Sequence, residues 1–125
     1  MRSFLIHESQ YIYRMCLANE NKLVGFSRFS IPNKDNEINL IQIEISKHKR
    51  NKNYGSLLID YSEKFLVMNY PEIKKLTGCV WQNEESPYVL DFFKKNGYEI
   101  NLNERKSYYD DGIFEHDLIP IIKYL

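Results

Sequence analysis

The chain has 125 residues, 43% hydrophobic and 27% charged, and its seventeen basic and seventeen acidic side chains cancel. That size suits one domain, residues 1–125, able to bury a core without disulfide staples. Neutral overall charge supplies no field for a nucleic acid or an anionic membrane, and no apolar run approaches the roughly 18 residues of a membrane span.

The opening MRSFLIHESQ has too short an apolar stretch for a signal peptide, so a cytoplasmic location is expected. Phe4 to Glu8 reads as a short strand. Tyr11 to Ala18 is rich in strand formers, Asn19-Glu20-Asn21-Lys22 supplies turn residues, and Leu23 to Ile31 completes an antiparallel hairpin. Cys16 and Cys79 each lie in an apolar, strand-like run. They read as buried reduced thiols rather than a disulfide or metal pair. After the turn Pro32 to Asn36, Glu37 to Ser46 makes a third long strand. By simple alternation Ile41, Ile43 and Ile45 point one way, and Leu40, Gln42 and Glu44 the other. Apolar residues on both faces mark a central strand.

A basic turn follows, KHKRNKNYGS, with Lys47, His48, Lys49, Arg50 and Lys52 close together. It enters a helix, and a helix N-terminus carries unpaired N–H groups and the positive end of a dipole. The combination is a seat for phosphate, scaled to one small anionic ligand. From Gly55, Leu58, Tyr61, Phe65 and Met68 recur at helical spacing as a buried stripe, and Pro71 closes the helix. Lys75 to Gln82 is another strand, so strand, helix and strand suggest a right-handed parallel crossover. Ser86-Pro87 starts a second helix with Val89, Phe92 and Phe93 as its buried stripe, and Asn96-Gly97 stops it. The tail from Tyr98 folds as a strand pair around Asp110-Asp111-Gly112. The expected class is α+β, a mixed sheet covered by helices. His7, His48 and His116 show no ligand spacing, and no metal is expected.

The stretch ISKHKRNKNYGSLLI resembles the acyl-CoA-binding motif of the GNAT superfamily of N-acetyltransferases. Arg50 takes the motif's Arg position, Asn53 and Gly55 its Gly-x-Gly step, and Ser56 its small polar residue. Asn51 and Asn53 stand where glycine is common, and Asn is the next best residue for positive φ. The stretch DFFKKNGYEI resembles the family's later motif, an aromatic helix ending in a Lys-x-Gly-aromatic turn. The resemblance runs from about Tyr11 to the C-terminus. It implies a GNAT-like, mostly antiparallel sheet with a central βαβ crossover and flanking helices. The N-terminal part is shorter than usual for the family.

The resemblance further implies acetyl-CoA as acyl donor and a primary amine as acceptor, by direct attack in a ternary complex. Backbone N–H groups of Arg50, Asn51, Lys52, Asn53, Tyr54, Gly55 and Ser56 would hold the diphosphate. Backbone groups at Ile43 and Ile45 would meet the pantetheine arm, with Phe93 packing on it and Asn83 touching the cofactor. Glu37 or Glu44 would be the base. The family often has a tyrosine four residues before the later glycine as general acid, but Phe93 stands there. Tyr98, Tyr88, Tyr108 or a water would have to substitute. Tyr108 and Asp110 would rim the acceptor site, attracting a cationic amine.

Two other readings stay open. One is a catalytically silent module of the same fold that binds acyl-CoA or a protein partner. The other, a small nucleic-acid-binding domain using KHKRNKN, is disfavoured by the neutral charge and the lack of a second basic stripe. Acceptors from a small amine or a peptide to an aminoacyl-tRNA fit. The short N-terminal region leaves either an open acceptor groove or a pocket completed by a second copy of the chain.

Overall fold

A computed structural model describes residues 1–50, 52–81, 86–102, 106–110 and 114–125, with the backbone alone at 81, 86, 106–110 and 114–117. It has two compact units, Met1–Lys74 and Lys75–Leu125. Both are built on antiparallel strand pairs with one α-helix each, the expected α+β class.

In the first unit, β1 (Arg2–His7), β2 (Ile12–Asn19), β3 (Lys22–Ser30) and β4 (Glu37–Ile45) pair in sequence as an antiparallel meander. The β2–β3 hairpin closes on two residues, Glu20 and Asn21, both at positive φ (50° and 66°). Positive φ at both central positions is the primed turn whose twist matches the strands it joins. The next turn is held by Asn33, whose Oδ1 accepts from the backbone N–H of Asp35 (2.9 Å) and Glu37 (3.0 Å).

A basic 3-10 turn (Lys47–Lys49) then leads to α1 (Tyr54–Asn69). The helix stops at Tyr70, before Pro71, as the sequence indicates. Its buried face differs from the expected stripe: Leu58, Ile59, Ser62 and Leu66 are buried, whereas Met68 is 82% exposed. The stripe counted apolar residues only. Ser62 belongs on the inner face because its hydroxyl is satisfied there, donating to Leu58 O (2.7 Å) and meeting Ser27 Oγ (2.7 Å). Around this pair Phe65 packs on Phe29 and Tyr13, each at 6.0 Å between ring centroids. Burying Phe29 alone contributes about 2–3 kcal/mol.

In the second unit the long strand β8 (Phe114–Tyr124) pairs with β5 (Lys75–Trp81) along one edge, and with β6 (Glu99–Ile100) and β7 (Lys106–Asp110) along the other. Pro120 sits within β8, where a proline normally breaks a ladder. Its carbonyl accepts from Asn101 N (3.0 Å), so its missing N–H falls in the gap between β6 and β7. The helix α2 (Ser86–Lys95) ends at Gly97 with φ 90°, the left-handed stop expected from Asn96-Gly97. Both cysteines are free thiols. Cys16 is buried as expected; Cys79 is exposed, which corrects its assignment, because an apolar strand need not bury both faces.

Candidate functional site

The centre of interest lies in the first unit, where β4 runs into the basic turn and α1. Two β-bulges set its geometry. Asn19 pairs with Lys22 and Ala18 with Leu23, but Leu17 pairs with Gly25, so Val24 is an extra residue in β3. Arg28 pairs with Gln42 and Phe29 with Leu40, so Ile41 is extra in β4. Strict alternation therefore fails at Ile41. Leu40 and Ile43 lie opposite Phe29 and Ser27, on the α1 side of the sheet, as does Ile45 opposite Gly25. Ile41 leaves that face and is 41% exposed. Gln42 and Glu44 occupy the opposite face, and the bulge puts Glu37 there too. Two carboxylates on opposite faces by alternation share one face.

Beyond Ile45 the chain is held closely. Ser46 N donates to Val24 O (2.8 Å), and the Arg50 guanidinium Nε donates to Ile45 O (3.1 Å). Gly25 permits this approach: a Cβ there would collide with Glu44 O and lie 3.1 Å from Ile45 Cα. Asn53 then takes the left-handed conformation (φ 62°, ψ 16°), and its carbonyl accepts the first helical bond, from Leu57 N (3.1 Å). The glycine-like step expected at Asn53 is present. The N–H groups of Tyr54 and Gly55 open the helix, ahead of its first helical carbonyls. Lys47, His48, Arg50 and Lys52 are exposed beside this end, and among the described residues no carboxylate pairs with them.

The remaining candidates lie in the second unit or outside the described residues. Phe93 and Tyr98 are each 4% exposed, their rings 5.2 Å apart edge to face, with Lys123 Nζ 5.7 Å from the Tyr98 centroid. Tyr108 and Asp110 fall in β7, paired with His116 and Phe114. Asn51 and Asn83 lie outside the described residues.

One charged group escaped the sequence reading. On the face shared with Glu44, Glu8 bridges Arg14 and Arg28: it meets Arg14 Nε, and both its oxygens accept from Arg28 Nε (3.1 and 3.0 Å). Arg28 Nη1 continues to Gln42 Oε1 (3.2 Å), and Gln42 Nε2 to Glu44 Oε2 (3.4 Å). Desolvation pushes the Glu8 carboxyl up, but the hydrogen bonds and charges of Arg14 and Arg28 together outweigh it and hold the group below its ordinary value. Hairpin register from the turn alone sets Arg14 opposite Ser27. The bulge at Val24, beside Gly25, shifts it onto Arg28.

Residues 2–98 match the family model of the acetyltransferase (GNAT) family. The chain belongs to the GNAT family. No curated protein matches it. Solved GNAT-like structures share its fold at low identity. An acetyltransferase from Bacillus subtilis in complex with CoA superposes with a TM-score of 0.71 at 14% identity, covering 99% of this chain and 98% of that one. A GNAT family acetyltransferase from Elizabethkingia anophelis with acetyl-CoA bound gives 0.68 at 18% identity, over 92% and 77%. The PaiA N-acetyltransferase from Thermoplasma acidophilum in complex with coenzyme A gives 0.66 at 20% identity, over 92% of this chain but 62% of its own. The chain thus spans nearly all of one neighbour and under two thirds of another.

Proposed function

We propose that the protein transfers an acetyl group from acetyl-CoA to a primary amine by direct attack. The observation that carries this reading is the left-handed Asn53 between a pinned Arg50 and the N-terminus of α1. A diphosphate is favoured at a helix N-terminus beside cations, and the start of α1 at Tyr54 and Gly55, next to Arg50 and Lys52, supports that reading. The exposed cations at Lys47 and Lys52 add attraction without occupying the donors.

Bound there, acetyl-CoA supplies an activated acyl group. The chain's part is to orient and to move one proton. Backbone groups at Ile43 and Ile45, beside the bulge, suit contacts to an extended amide-bearing arm. Glu44, with Glu37 on the same face, suits proton removal from the amine. In the balanced step the ammonium first gives one proton to solvent, the neutral amine nitrogen bonds to the acetyl carbon, the C–S bond breaks onto sulfur, and the carboxylate takes the second proton. No tyrosine stands at position 93, so the thiolate leaves without that acid.

The test is a melting curve with acetyl-CoA, followed by thiol release with a panel of amines. A ligand that binds only the folded state raises Tm by mass action, about 2.7 kcal/mol of stabilisation at a hundredfold excess over Kd. Absence of any shift at millimolar acetyl-CoA overturns the reading. A shift without thiol release leaves the silent acyl-CoA-binding module. Glu44→Gln should keep the shift and lower turnover; full activity across pH in both Glu44→Gln and Glu37→Gln refutes the assigned base.

A further inference from the structure

The charged line on the sheet face opposite α1 is more than cross-strand pairing. Arg14 and Arg28 stand directly opposite each other, and like charges in that position repel. Glu8 offsets one positive charge and leaves one. Among the described residues every side-chain hydrogen bond of Arg14 goes through Nε to Glu8, its two Nη groups have no partner, and its Cζ lies 4.2 Å over the Phe26 ring. Arg28 keeps Nη2 free in the same sense. Glu8 and Phe26 therefore fix two guanidiniums with donors to spare, and both side chains stay open to solvent, 33% and 27% exposed. Phe26 pairs directly with Glu44, so the spare donors and the candidate base share one platform.

We propose that this platform binds the amine acceptor, and that the acceptor also carries a carboxylate. Its carboxylate sits on the Nη groups of Arg14 and Arg28, and its amine sits beside Glu44. The assignment rests on the acyl-transfer reading above. Gln42 lies between the two ends, bonded to Arg28 Nη1 at 3.2 Å and to Glu44 Oε2 at 3.4 Å, so a small molecule carrying both groups can meet the spare guanidinium donors and the carboxylate at once. A polyamine offers nothing to two guanidiniums and meets their repulsion.

The test is an NMR-detected titration of dialanine and of dialaninamide, with coenzyme A present and with it absent. The pair differs only in the terminal carboxylate, and the method reads millimolar binding without turnover. Dialanine should bind about tenfold more tightly than its amide, the worth of charge-assisted bonds on a partly exposed guanidinium pair. Arg14→Gln should abolish the difference and Arg14→Lys should restore part of it. Arg28→Gln, which leaves Arg14 on Glu8, is the second variant should Arg14→Gln unfold. Equal affinity for acid and amide in the wild type overturns the proposal, as does putrescine binding more tightly than dialanine. Failure of acetyl-CoA to shift the melting curve is a separate result: it removes the acyl-transfer reading, while the acid-against-amide comparison still reports on the platform.

Discussion

The left-handed residue at the entrance to α1 makes a measurable demand on the sequence. Asn53 has φ 62° and ψ 16°. For an L-residue with a Cβ that region costs roughly 1–2 kcal/mol, less for Asn, nothing for Gly. Comparing Asn53→Ala with Asn53→Gly isolates the backbone term, because both remove the same side chain and whatever it contacts. The glycine variant should be the more stable by about 1 kcal/mol, even though glycine has the larger unfolded-state entropy. For a chain of this size that is about 3–5 °C in Tm, interpolating between small and larger domains. Calorimetry or circular dichroism melts of the two variants, read against wild type, give the number. The same ordering should appear in the acetyl-CoA shift, since the turn must take this shape to present its amides. An alanine variant as stable as the glycine variant refutes the argument, for it means the residue leaves the left-handed region without cost.

Other outcomes follow from the packing around α1. Tyr70 donates to the Tyr13 hydroxyl (3.1 Å), and burial first, then that bond, pushes its phenol up to about 12. Its contribution to stability is whole below about pH 10, where the unfolded phenol titrates, and is lost as pH rises from there through about 12; Tyr70→Phe should flatten that part of an alkaline denaturation profile. Ser62 gives its one hydroxyl hydrogen to Leu58 O, so Ser27 must donate to Ser62. Ser62→Ala then strands a buried donor and should cost about 1–3 kcal/mol in urea melts, more than Ser27→Ala. Gly25→Ala drives a methyl into Glu44 O and the Ile45 backbone, which should cost about 1–3 kcal/mol and weaken the acetyl-CoA shift by moving the end of β4.

The parts of the fold legible in sequence are those set by local chemistry. Asn-Glu-Asn-Lys between strand-forming runs, Pro71 after a periodic segment, and Asn96-Gly97 after an aromatic one each act within a few residues. Each produced the turn or stop its residues dictate. Asn53 was legible for the same reason. What depended on partners was not. The inner face of α1 turns on Ser62, whose place in the core needs Ser27 thirty-five residues away. Met68 has apolar character but no sheet beneath it. Cys79 sits in a run apolar enough to be buried, yet lies on the open side of its strand.

The candidate site shows the limit most clearly, because one residue of register decides its chemistry. Period-2 alternation assigns Glu37 and Glu44 to opposite faces and Arg14 to a partner other than Arg28. Ile41 and Val24 each add one residue to a strand, and each reverses the parity of everything beyond it. The first bulge gathers two carboxylates onto one face; the second lines up two guanidiniums there, and Glu8 ties them. Gly25 beside Val24 is a weak sign of the bulge in β3, whereas nothing around Ile41 announces the bulge in β4. The energetic reason for both lies on the other face, where Phe29, Ser27 and Gly25 must meet Leu40, Ile43 and Ile45 beneath α1. Core packing thus fixes the register, and the polar face inherits it. A variant that removes Ile41 would restore alternation, and should either expel Ile43 and Ile45 from the α1 side or separate Glu37 from Glu44. Keeping both arrangements is geometrically impossible for a regular strand.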